Sequence, residues 1–417
     1  MSRHDPLVSI VIPDFNHAPY IGEAIQSVLD QTYPLHEIVV VDDGSTDDSR
    51  EVVARFGNRV RYLWQENRGL SAARNTGIRA AQGEYVGLLD ADDMYEPEFL
   101  STLVPILEGR PDAAGVYCGY RFVNHQNTPL PQHETRLIPE GQLFQALVDG
   151  NFLVPEAVLV RRRCYESVGP FDETLSACED LDMWLRISSR YAVVGTTGIL
   201  TRHRILPNSM SSDPNRQARN RLAVMAKHFG PAPAHDSQWT PPQRRAYGHA
   251  YLASVVDYLQ AHDEARASDC LREMARIYPD LLTQFNMFFQ LGCGDQPKGS
   301  VGDFATLEIE RRAQMLIGLL DRLFGDPPMA TLLSGYCDAA YANAYRALGA
   351  LSYGARQFPA TRRYLRRAVA ADATLALDRR VISMFVKSLL GVRLINRLQH
   401  ERQRLIPRAF SSTRRET

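Results

Sequence analysis

The sequence predicts an α/β fold, a doubly wound and mostly parallel sheet followed by an all-α C-terminal domain. Three observations carry this. Short β-branched runs alternate with helix-period segments over roughly the first 115 residues. Strand signals vanish after a Pro-rich stretch at 231–243. Beyond it the composition shifts to Ala, Leu, Arg and Tyr. Sheets of this kind bind ligands at the carboxyl ends of their strands, so chemistry is expected there.

Taken in order, Val8 to Ile12 is a β-branched run stopped by Pro13, the pattern of a buried parallel strand. Ile21, Ala24, Ile25, Val28 and Leu29 follow at helical spacing, with Pro19 suited to a first turn. Glu37 to Val41 reads as the second strand, with Ser45 or Thr46 capping the next helix and Asp47 and Asp48 in its first turn. Val60 to Leu63 is the third strand, Leu70 to Ala81 a helix, and Glu84 to Leu89 the fourth strand. Met94 to Leu107 reads as a helix. The stretch 116–230 is mixed and loop-rich. In the α part, 246–279 and 342–372 each read as a helical hairpin resembling a degenerate tetratricopeptide unit, and an irregular helical bundle fits them equally well. The expected organisation is a domain at 1–230, a Pro-rich linker at 231–243, and a helical domain with a basic tail at 244–417.

Charge narrows the partners. The chain of 417 residues has a formal net charge of −1, so no global positive field points to nucleic acid. The last residues, from Arg356 on, carry 15 basic against 4 acidic side chains. Within them Val381, Met384, Phe385, Ser388, Leu389, Val392 and Ile395 share a helical face, with Arg379, Arg380, Lys387, Arg393 and Arg397 mostly elsewhere. Such a helix can lie on an anionic membrane or pack on its own domain. Six cysteines without ligand-like spacing fit a reducing compartment. No signal peptide or membrane span is legible, and the expected location is cytoplasmic, with a peripheral inner-membrane contact through the tail as an option.

Three acidic segments can do chemistry. Leu88-Leu89-Asp90-Ala91-Asp92-Asp93 leaves an apolar strand with three carboxylates. In an extended chain Asp90 and Asp92 share a side, and two facing acids call for Mg²⁺ or Mn²⁺ with ligand phosphates. A helix cap by Asp93 explains one of the three. Asp42-Asp43-Gly44-Ser45 leaves the second strand in the same way and suits either a base or ribose contact or a cap and turn. Glu179-Asp180-Leu181-Asp182 opens an amphipathic helix, either as ordinary first-turn acids or as a positioned general base.

These segments together resemble the family-2 inverting glycosyltransferases of GT-A fold, over roughly residues 7–230. Val8 to Asn16 resembles the opening strand and P-x-[YF]-N turn, and Asp42 to Asp47 the second-strand motif. Asn67 to Gly77 is similar to the N-x-G-x-x-x-A-R-N-x-G helix, Leu89 to Asp93 to the D-x-D motif, and Gly169 to Asp180 to the approach and acidic pair. The resemblance implies that Pro13 and Phe15 flank the base, Asp42 binds a uracil-like edge, Arg74 reaches the nucleotide and Asp90 holds ribose. It implies that Asp92 binds the metal, Mn²⁺ or Mg²⁺, and that Asp180 is the general base with Glu179 beside it. Arg204 would neutralise diphosphate. The donor implied is a UDP-sugar, and the acceptor a saccharide, lipid-linked or protein hydroxyl, in a bacterial cell-envelope polysaccharide setting. One departure stands out: Leu206 occupies the position of the family's histidine, which leaves water or His203 to complete a metal shell. The competing reading is a nucleotide-binding protein acting through its helical domain, which would be expected to lose Asp92 or Asp180.

Overall fold

The computed structural model describes residues 5–390 except 208, 210 and 211. It contains two compact units. The first comprises the chain to Tyr278 together with Gln296–Gly302, and the second comprises Pro279–Asp295 and the chain from Asp303.

The described residues of the first unit form nine strands, β1 (Val8–Asp14), β2 (His36–Asp42), β3 (Arg61–Trp64), β4 (Tyr85–Leu88), β5 (Met94–Tyr95), β6 (Ala113–Val123), β7 (Pro129–Glu134), β8 (Val158–Arg161) and β9 (Ala192–Arg204). They form one sheet in the order β3-β2-β1-β4-β8-β6-β9-β5, with β7 paired to β6. The half from β3 to β4 is parallel. Beyond β4 the sheet is mixed, with β8 antiparallel to both neighbours and β6 parallel to β9.

Among its described residues this unit has ten α-helices: α1 (Ile21–Leu29), α2 (Ser49–Ala54), α3 (Leu70–Ala80), α4 (Phe99–Glu108), α5 (Leu143–Asp149), α6 (Arg162–Val168), α7 (Glu179–Ser188), α8 (Pro214–Phe229), α9 (Pro241–Gln260) and α10 (Glu264–Ile277). β1 is buried along its whole length because the sheet is covered on both faces. Val8, Ile10 and Ile12 join a core with α1 and α4, whereas Val11 joins a second core with α3 and α7. Pro13 breaks no central ladder, because β4 pairs with β1 only as far as Val11. Gly77 lets α3 lie close on β1, since a Cβ there would collide with the Val11 side chain.

Several expectations are corrected. Met94 and Tyr95 are not helical; they pair with Arg202 and Thr201, and the helix begins at Phe99, after Pro97. Ser45 and Thr46 do not cap α2, which begins at Ser49. They bond instead to the loop after β1. The first unit also runs through the Pro-rich stretch 231–243 to Tyr278. Trp239 packs edge-on to Tyr247 at 5.1 Å, Thr240 forms a capping box with Gln243, and Arg245 pairs with Asp149 at 2.6 Å. Gln296–Gly302 belongs here because Gln132 bonds Gly299 through backbone and side chain.

The described residues of the second unit are helical, with α11 (Phe285–Gly292), α12 (Ile309–Gly325), α13 (Pro327–Leu332), α14 (Cys337–Gly354), α15 (Phe358–Ala371) and α16 at 379–390. Leu316, Leu319, Ala347, Leu348, Leu351 and Leu365 are fully buried. The expected hairpins are present as α9–α10 and α14–α15, one in each unit. Val381 and Ser388 of α16 are buried and Met384 and Phe385 half-buried, while Leu389 is exposed. The face expected to meet a membrane is therefore mostly turned inward, and the tail beyond Leu390 lies outside the described residues. No described helix is long and apolar enough to cross a membrane.

Candidate active site

The loops that follow β1 and β2 are laced together. Asn16, in a left-handed conformation at φ 60°, accepts from the Thr46 N–H at 2.8 Å and donates its own N–H to Ser45 Oγ at 3.0 Å. Asp47 accepts from the Ala18 N–H at 2.9 Å. Asp42 is buried and accepts from the Ser45 N–H at 2.7 Å and from the Tyr62 hydroxyl. A base edge would have to share its remaining lone pairs or displace Tyr62. Asp43 orders the turn into α3 by accepting from Arg68 N–H at 3.0 Å and Gly69 N–H at 2.8 Å. Pro13 sits within β1, and Phe15 stands exposed at the strand's end, free to stack.

After β4 the chain turns rather than staying extended. The Asp93 N–H donates to the Asp90 carbonyl at 3.0 Å, so the i, i+2 argument for the three acids does not apply. Asp90 pairs with Arg74 at 2.7 Å. Asp93 is buried, accepts from the Arg204 N–H at 2.7 Å, and meets His203 Nδ1 at 3.2 Å. Asp92 is half-buried, and among the described residues no donor reaches its carboxylate. Burial, then the charges of Asp93 and Asp90, push it up to about 7, with His17 and His203 pulling the other way.

Arg74 is the hinge of the arrangement. Its side chain is 1% exposed, and its two terminal nitrogens donate to Asp90 at 2.7 Å and to Glu179 at 2.6 Å. Burial alone would lower the guanidinium, but Asp90 and Glu179 outweigh it and hold it above its ordinary value. Arg74, expected at the nucleotide, bridges the turn after β4 to the head of α7. Its neighbour Asn75 exchanges two hydrogen bonds with the Phe171 backbone at 2.8 and 2.9 Å and pins the approach to α7.

At the head of α7, Asp180 is half-buried. It accepts from the Leu181 N–H at 2.8 Å and from Asn151 Nδ2 at 3.0 Å. Burial and then the Glu179 charge raise it to about 6, against the pull of Arg74. Asp182 is different: it is fully buried and held by His228 at 3.0 Å, Lys227 at 3.0 Å and Arg186 at 2.9 Å. It joins α7 to α8 and has no route to a substrate.

Arg204 is enclosed too. It donates to the Asp92 carbonyl at 2.7 Å, the His125 carbonyl at 2.8 Å and Glu23 at 2.6 Å, with Tyr20 stacked 4.8 Å away. A diphosphate would have to take it from Glu23. As placed, it fixes the backbone at Asp92.

Two residues escaped sequence reasoning. Glu156 is fully buried, its Oε1 accepting from His203 Nδ1 at 2.8 Å and its Oε2 without a partner. Its one legible signal is a carboxylate set among apolar residues, Leu153 to Val160. Asp93, Glu156 and His203 each bring a ligand atom within 4.8 Å of the others, close enough to hold a cation. Burial alone would lower the His203 imidazole, but Asp93 and Glu156 hold it well above its ordinary value. The second residue, Asn151, is the donor to Asp180 and carries no sequence signal at all.

Residues 9–169 match the profile of the Glycosyl transferase family 2. An uncharacterized glycosyltransferase of Rickettsia typhi is 35% identical over 205 residues, covering 46% of this chain and 62% of the relative. The chain thus spans less than two thirds of that relative's length. A putative teichuronic acid biosynthesis glycosyltransferase of Bacillus subtilis, TuaG, is 29% identical over 225 residues, covering 52% of this chain and 87% of TuaG. Among solved structures, a mannosyltransferase from Pyrobaculum calidifontis in complex with GDP-Man and Mn²⁺ aligns at TM-score 0.46 and 20% identity, covering 82% of this chain and 88% of its own.

Proposed function

We propose that the first unit, whose residues 9–169 match the family-2 glycosyltransferase profile, transfers a sugar from a nucleoside-diphosphate donor to an acceptor hydroxyl with inversion. The observation that carries the reading is Arg74 between Asp90 and Glu179, which sets the acids after β4 beside the acids heading α7.

Asp180 is the general base. Raised to about 6, it is ionised at neutral pH and more basic than an ordinary carboxylate. It takes the acceptor hydroxyl proton as the new O–C1 bond forms. The C1–O bond to the diphosphate breaks in the same displacement, and its electron pair leaves with the diphosphate. Asn151 and the Leu181 N–H fix the carboxylate's direction. Glu179 is neutralised by Arg74, so it aids by position and not as a second base. Phe15 supplies a surface for the base, and Asp42 orders the loop around it.

The acids fit a divalent cation, Mn²⁺ or Mg²⁺. Among the described residues Asp92 lacks a donor, and the Glu156 Oε2 atom is buried without a partner. Asp92 would hold the ion, with His203 and Asp93 behind it. A cation there would supply positive charge for the leaving diphosphate. The donor proposed is a UDP-sugar. An acceptor on a cell-envelope saccharide, free or lipid-linked, is supported by the description of TuaG.

The test is a thermal-shift screen of UDP-, GDP- and dTDP-sugars with and without Mn²⁺, followed by assay of diphosphate release on the hits. A metal-dependent rise in melting temperature with UDP-sugars supports the reading. No shift and no release with any of them contradicts it.

A further inference from the structure

Among the described residues of the second unit, none covers the outward surface of α16. Ten large hydrophobic side chains stand exposed among the described residues, and five of them fall between Leu377 and Leu390: Leu377, Ile382, Val386, Leu389 and Leu390. Leu377 is 83% exposed and Leu389 61%. At 100° per residue Ile382, Val386, Leu389 and Leu390 share one arc of α16, while Val381 and Ser388 occupy the buried arc. The helix is thus apolar inward and outward.

Cations border the outward strip. Arg379 lies within it, and Lys387 and Arg380 lie along one edge, all exposed. No acidic residue occurs from 379 to 400. Between α15 and α16 there is an apolar cavity of about 280 Å³ lined by Leu365, Val369, Phe385 and Val386, with Arg366 at its wall, 5.6 Å from the Phe385 ring. A second copy fits this surface poorly. A two-fold contact would set the same cations against each other.

We propose that α16, with the adjoining wall of α15, is a docking face for an anionic membrane surface. Ile382, Val386, Leu389 and Leu390 enter the boundary between headgroups and acyl chains, and Arg366, Arg379, Arg380 and Lys387 face lipid phosphates. The face lies to one side of the one the sequence periodicity suggested and shares only Leu389 with it. It is independent of the transfer chemistry, since vesicle binding reads neither nucleotide nor turnover.

The experiment is co-sedimentation of the full chain with phosphatidylcholine vesicles, with and without phosphatidylglycerol, at low and high salt. The expected result is binding to the anionic vesicles at low salt, weakened about tenfold or more by salt or by omitting phosphatidylglycerol. The double variant Val386→Asp/Leu389→Asp, exposed at both positions, is expected to lose about tenfold in affinity at an unchanged melting temperature. Arg379→Glu/Arg380→Glu/Lys387→Glu should remove the dependence on phosphatidylglycerol. Absence of wild-type binding overturns the proposal, as does wild-type binding by the Asp variant. Binding that survives the Asp variant but vanishes on truncation after Leu390 assigns the contact to the tail and overturns it too. A dimer that becomes monomeric in the Asp variant, without vesicle binding, assigns the face to a second copy.

Discussion

Arg74 on α3 and Glu179 at the head of α7 meet at 2.6 Å although 105 residues separate them, and the guanidinium so placed also holds Asp90 at 2.7 Å. A buried cation shared by two carboxylates fixes distances that neither loop could keep alone. It also ties the strand-end acids to the helix bearing the proposed base.

Removing that cation leaves two carboxylates uncompensated in a buried setting. Arg74→Ala is expected to cost roughly 3–5 kcal/mol of stability, the scale for breaking one side of a buried pair. Adding Glu179→Gln to it should recover part of the loss, because one of the stranded charges is removed. Denaturant unfolding of the single and double variants checks both.

Asp182 and Asp180 stand two residues apart and should behave oppositely. Burial would raise Asp182, but His228, Arg186 and Lys227 outweigh it and hold it below its ordinary value. Its stabilising contribution is therefore present above the unfolded carboxylate's range and lost as pH falls through the lowered value. Asp182→Asn should unfold more easily, by roughly 3 kcal/mol at neutral pH, while its folded fraction transfers sugar normally. Melting curves from pH 3 to 8, with turnover per folded molecule, provide the check.

Asp92 works in the other direction. Its folded value near 7 lies above the unfolded one, so in metal-free protein its contribution is fully present at low pH and lost as pH rises through 7. In EDTA, Asp92→Asn should therefore melt higher than wild type at pH 8, with the gap closing toward pH 4. Mn²⁺ should raise the wild-type melting temperature at pH 8 and raise that of the variant much less.

The wild-type pH profile follows from Asp180. A base with a value of about 6 must be ionised to act, so kcat/KM should fall tenfold per pH unit below about 6. A profile flat down to pH 4.5 would assign the step to a group less perturbed than Asp180.

The first half of the sheet was legible because β1 and β2 announce themselves as β-branched runs and β4 as a short buried one. What stayed hidden depended on distant partners. Met94 and Tyr95 lie in an apolar stretch with helical spacing, and only Arg202 and Thr201 make them a strand. Glu156 gains meaning from His203, 47 residues later. Arg74 was readable as a motif residue, yet its burial follows from Asp90, Glu179 and the Phe171 ring, partners far along the chain. The place of α9 in the first unit rests on Arg245 with Asp149 and Trp239 with Tyr247, pairings that composition does not reveal.

The central claim, that Asp180 is the general base beside an intact nucleotide site, is tested most directly by sugar transfer and UDP binding measured on Asp180→Asn. The account predicts a loss of about 10²–10⁴-fold in transfer with UDP affinity and melting temperature near wild type. Transfer by Asp180→Asn at close to the wild-type rate would contradict it.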